Sequence, residues 1–157
     1  MISYEKVRQN LRSLNITVLV LEFFSAILGI LGFIGIYTIS ANLDNEELTS
    51  VYSAEQIELL RASVTPFAIF LSVVSFAISV AIIVLVFMNL SKLKKGEELS
   101  YIPYFLGLGL AAFNILYSFT SGFNIWTLLI QGAIAVLFAF TFVKARTLNE
   151  GDNSQQA

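Results

Sequence analysis

The sequence predicts an all-α, polytopic integral membrane protein, with four transmembrane helices in an up-down bundle and both ends on the cytoplasmic side. Three observations carry that expectation. Apolar residues make up 57 % of the 157 residues and charged ones 13 %, against about 45–50 % and 25 % in a soluble domain. The charges are gathered into short stretches, with four nearly uncharged apolar runs between them, each long enough to cross a bilayer. Eight of the nine Lys and Arg residues fall in segments that an even number of crossings places on one face, and basic loops favour the cytoplasm.

The elements follow in order. Residues 1–15 hold Lys6, Arg8 and Arg12, and Val7, Leu11 and Leu14 at i, i+4, i+7 predict an interfacial helix leading into the membrane. The first span covers 16–40. Its apolar run, Ile16 to Ile39, is 24 residues interrupted only by Glu22, a helix of about 36 Å against a hydrocarbon core of about 30 Å. A signal-peptide core is only about 7–15 residues long, so this span is expected to be retained. Residues 41–63 form an external acidic segment with Asp44, Glu46, Glu47, Glu55 and Glu58 against Arg61. Within it Ser53-x-x-Gln56 reads as a capping box opening a short helix, Ala54 to Ala62.

The second span covers 64–88, with Pro66 in the first turn, where its missing N–H is harmless. Residues 89–101 make a cytoplasmic loop with Lys92, Lys94 and Lys95, followed by Gly96-Glu97-Glu98. The third span covers 102–119, with Pro103 placed like Pro66, and the fourth covers 125–143. Only the external turn 120–124 joins these two, so they are expected to be antiparallel neighbours. Residues 144–157 read as a disordered cytoplasmic tail. A multi-pass protein of the bacterial plasma membrane is the expected setting.

Composition also narrows the chemistry. The chain has no Cys and no His, which removes thiol chemistry and the commonest general base and metal ligand. No cofactor or metal is expected, and a net charge of −2 with basic residues confined to the membrane flanks gives nucleic acid no footprint. No phosphate loop, dinucleotide fingerprint or nucleophile motif is present.

Glu22 is the one ionisable side chain well inside an apolar run, about 9 Å from its start. A charge there costs up to about 3 kcal/mol, which protonation or an internal partner relieves. At 100° per residue Glu22 shares a face with Ser25, Gly29 and Gly32, a small-residue side that lets another helix approach closely. The carboxylate is thus either a proton- or cation-binding group or a tolerated Glu near the boundary. Ser72, Ser75 and Ser79 form a polar stripe on the second span, each able to bond its own i−4 carbonyl. Gly107 and Ala111 share a packing face of the third span with Asn114, and Gln131 lies on the facing side of the fourth. In a hairpin turning near Gly122, Asn114 and Gln131 come to one depth and are expected to join, directly or through water, for about 0.6–2 kcal/mol. Trp126, Tyr101 and Tyr104 fit interfacial anchors.

Two functional readings result. The first is a non-enzymatic accessory, regulatory or structural protein, embedded in lipid and assembled with copies of itself or with a larger membrane complex. The second is an oligomeric proton- or cation-coupled transporter or channel that uses Glu22. Four spans with one carboxylate in the first resemble the small multidrug transporters in outline. This chain is longer, carries a real external segment and shares no motif beyond that single Glu. An enzyme is the weakest reading, because Glu22 falls in the inner half of the membrane and Asn114 and Gln131 in the outer half, so the carboxylate and the amides do not converge at one depth.

Overall fold

The computed structural model describes residues 4–42, 45, 50–121 and 124–155, and every regular element among them is a helix. We label them α1 (Tyr4–Asn42), α2 (Ala54–Ser63), α3 (Pro66–Lys95), α4 (Ile102–Ser121) and α5 (Ile125–Gln155). All except α2 are long and apolar enough to cross a membrane. Asp44, Glu46 and Glu47 of the acidic segment, and Gly122 and Phe123 of the turn, lie outside the described residues.

Each helix after the first starts on a side-chain acceptor that satisfies an otherwise orphaned backbone N–H. At α2 the capping box is present, with Gln56 N–H donating to Ser53 Oγ (3.3 Å) and Ser53 N–H donating to Gln56 Oε1 (2.9 Å). Thr65 Oγ1 accepts from Ala68 N–H at the start of α3, so Pro66 falls at the first helical position. Ser100 Oγ accepts from Ile102 N–H, and Asn124 Oδ1 from Trp126 N–H. The other end of α3 is closed by Gly96, whose φ of +73° favours glycine. That turn lets Glu97 N–H reach back to the Lys92 carbonyl at 3.0 Å.

The chain divides into two compact units. The first comprises residues up to Phe23 and from Ile78 onward: the N-terminal half of α1, the C-terminal half of α3, and α4 and α5. Its buried residues recur every three or four positions: Leu11, Asn15, Val18 and Glu22 on α1; Ser79, Ile82, Val86, Asn89 and Leu93 on α3; Phe138, Thr141, Ala145 and Leu148 on α5. Such a mean period of about 3.5 is the seam of left-handed helix packing. Between α4 and α5 the fit is close. A Cβ on Gly107 would run into the Phe138 ring, and Tyr101 and Phe105 both lie against Phe142.

The second unit, Phe24–Ala77, holds the C-terminal half of α1, α2 and the N-terminal half of α3. Here Phe33 packs edge-on against Phe76, whose ring also lies against Gly29. None of its described residues reaches the buried class.

Residues 4–15, expected as an interfacial helix leading into the membrane, form one continuous helix with the span that follows, and Val7 and Leu11 are buried within the first unit. One sequence expectation changes: the C-terminal segment is not disordered where it is described. The helix runs on to Gln155, because Ala145, Leu148 and Asn149 extend the buried seam and Arg146 pairs with Glu150 one turn later at 2.7 Å.

Candidate functional site

The strongest polar feature lies in the first unit, where three asparagines meet two tyrosines and a loop. Asn89, fully buried on α3, uses its whole amide. Its Nδ2 donates to the Ser100 carbonyl (2.7 Å) and to Tyr104 Oη (3.1 Å), and its Oδ1 accepts from Ser100 N–H (2.9 Å). Tyr104 Oη in turn donates to Asn15 Oδ1 on α1 (2.9 Å), and Asn15 Nδ2 donates to its own helix at the Leu11 carbonyl (3.0 Å). One chain of hydrogen bonds therefore ties α1, α3 and α4 together. The third amide repeats the device from α5: Asn149 Oδ1 accepts from Leu99 N–H, and its Nδ2 donates to the Leu99 carbonyl and to Tyr101 Oη.

Asn89 and Asn149 each grip one residue of the α3–α4 connection by both its N–H and its C=O, as a neighbouring strand would. A short loop leaves the apolar layer with unpaired backbone groups, and burying those is costly. The two amides remove that cost, which is how Leu99 becomes buried inside a loop that carries Glu97 and Glu98. Lys92 Nζ adds a bond to the Glu98 carbonyl (3.1 Å).

Glu22 lies two turns beyond Asn15 on the same face of α1. It is 7 % exposed, the Ser79 hydroxyl is within hydrogen-bonding reach, and Oε2 is buried with no partner. Its burial goes with Asn15, Val18 and Leu19; of the small residues on its face, Gly29 is half-buried against the Phe76 ring, whereas Ser25 and Gly32 are exposed and nothing lies within 4 Å of a Cβ placed on Gly32. The buried face follows the period of 3.5 only as far as the edge of the first unit. In the serine stripe, Ser79 is buried beside Glu22, Ser75 is half-buried, and exposed Ser72 bonds its own Ala68 carbonyl (2.9 Å). Ala111 is buried next to the Gly107–Phe138 contact.

Asn114 and Gln131 are each seven residues from the Gly107–Phe138 pairing, so the register of α4 and α5 brings them level. Both are half-buried, and no direct hydrogen bond joins them. Trp126 is exposed as an anchor would be, whereas Tyr104 is fully buried and Tyr101 is bonded to Asn149. The amide network occupies the place that the anchor role gave these two tyrosines.

Asn15, Asn89 and Asn149 are not apparent as a site in the sequence, since each stands alone near the end of an apolar run. The available signal is positional: Asn15 continues the Val7–Leu11 stripe and Asn89 falls three residues after Val86 and seven after Ile82. Polar residues on an apolar seam mark interhelical bonds. Among the described residues no three carboxylates come together to hold a metal ion. No protein-family model matches the chain, and no curated protein or solved structure matches it either.

Proposed function

We propose that this chain is a small, non-enzymatic component of a plasma-membrane assembly, with an accessory or structural role. It crosses the bilayer four times as an up-down bundle with both termini in the cytoplasm. One observation carries the reading: the uncovered apolar surface of the second unit, where Phe24, Leu28, Leu31 and Ile34 stand exposed on the same stretch of helix as an open Gly32. Lipid covers large side chains readily. An open glycine among them offers close backbone approach to another transmembrane helix. The amide network supports the same reading, because its hydrogen bonds hold helices together and leave little polar chemistry to spare.

The test is extraction in mild detergent followed by identification of what remains bound. A defined partner retained by the native chain and released by Gly32→Leu is the expected result. A chain that purifies alone, and stays so after cross-linking in the membrane, overturns it.

One observation favours a second reading. A buried carboxylate with an unpartnered oxygen beside a serine is the arrangement a proton- or cation-coupled transporter needs. On that reading Glu22→Gln abolishes proton-driven uptake in reconstituted vesicles. On the assembly reading, neither form of the chain transports anything.

A further inference from the structure

The basic residues at one end of the first unit do more than orient the chain. Arg8 and Arg12, one turn apart on α1, and Lys94 near the end of α3 line a single open cleft of about 350 Å³, together with Glu5, Gln9 and Leu93. The lining sets two guanidinium groups and an ammonium beside the Glu5 carboxylate, and among the described residues neither Arg12 nor Lys94 forms an ion pair. Two guanidinium groups and an ammonium around one opening suit a phosphate, which arginine can hold through paired N–H donors.

The surface next to the cleft says what kind of phosphate. Along α1, Arg12 is followed on the same side by exposed Ile16, Val20 and Phe23; along α3, Lys94 is followed toward the middle of the helix by exposed Phe87 and Val84. These two strips belong to one groove, since the Phe23 and Phe87 rings meet edge-on at 6.0 Å. A cationic cleft that opens onto an apolar groove between the same two helices matches an amphiphile with an anionic head. A soluble anion would leave the groove unused. Basic pockets between helices at the membrane boundary are suited to anionic headgroups.

We infer that the cleft lined by Arg8, Arg12 and Lys94 binds the phosphate headgroup of an anionic phospholipid, with the acyl chains along the Ile16–Val20–Phe23 and Phe87–Val84 groove. The inference rests on the membrane-spanning reading of α1 and α3.

The test uses the full chain purified in a neutral maltoside detergent, with thermal unfolding followed as phosphatidylglycerol or phosphatidylcholine is added. Phosphatidylglycerol is expected to raise Tm at concentrations where phosphatidylcholine does not. Arg12→Gln and Lys94→Gln should each weaken that response about fivefold, at roughly 1 kcal/mol per cation. Arg12→Lys should keep most of it, and Lys6→Gln, an exposed cation outside the cleft, should keep all of it. An equal loss in Lys6→Gln would show diffuse attraction and overturn the site, as would an equal response to the two lipids. Stabilisation by glycerol 3-phosphate alone would overturn the lipid source. A chain found in the soluble fraction would instead refute the membrane-spanning reading beneath it.

Discussion

The two units of this chain solve the same problem in opposite ways. Both are built from long apolar helices, yet the first buries a seam of small, apolar and amide side chains, while none of the described residues of the second is buried. In a bilayer, burying apolar surface brings little gain, because lipid tails are as apolar as leucine. What holds helices together there is close packing and interhelical hydrogen bonding. The first unit has both, in the Gly107–Phe138 contact and the Asn15–Tyr104–Asn89 chain. The second has the Phe33–Phe76 and Gly29–Phe76 contacts, and its exposed hydroxyls bond their own helices at Thr38 and Ser72. Apolar content does not distinguish the units. The placement of a few amides does.

The sharpest way to break this contrast is at Asn89. Asn89→Ala removes the partner of both backbone groups of Ser100 and one partner of Tyr104, and is expected to cost about 3 kcal/mol, read as a lower unfolding midpoint in detergent micelles. Ser72→Ala, in the second unit, should change that midpoint hardly at all. If the two variants behaved alike, the amide network would not be what separates the units. Next is Gly107→Ala, which drives a methyl group into the Phe138 ring, for about 2 kcal/mol of destabilisation. Phe138→Leu in the same chain should restore part of the loss by making room. The smallest effect belongs to Gly32→Ala, where nothing lies within 4 Å. In the isolated chain its stability should stay within about 0.5 kcal/mol of the native value. A clear loss measured in native membranes but not in the purified chain would locate a second helix at this glycine.

Much of this architecture was readable beforehand, for reasons that can be named. Long uncharged runs have few alternatives to a helix that satisfies its own backbone, so the four long helices follow from composition and length. The short helix after Ser53 follows from its capping box, whose two hydrogen bonds lie within four residues of chain. The site was less legible. Glu22 stood out because a carboxylate in an apolar run is conspicuous. Asn15, Asn89 and Asn149 did not, because an amide near a span end looks like ordinary boundary polarity. The separations they bridge, 89 residues between Asn15 and Tyr104 and 50 between Leu99 and Asn149, leave no local trace.

By itself, then, the sequence determined what is local: where the helices after the first begin, and that four helices are apolar enough to span a membrane. Only the tertiary structure decided which face of each helix is covered. It turned Tyr104 from a boundary anchor into the hub of a buried network, and extended the last helix through residues that composition alone marks as tail. It also gathered Arg8, Arg12 and Lys94 around one cleft. The physical reason is that apolar helices present hydrophobic side chains on every side. Hydropathy therefore carries almost no information about facing, and the choice falls to a few hydrogen bonds and close fits between residues far apart in the chain.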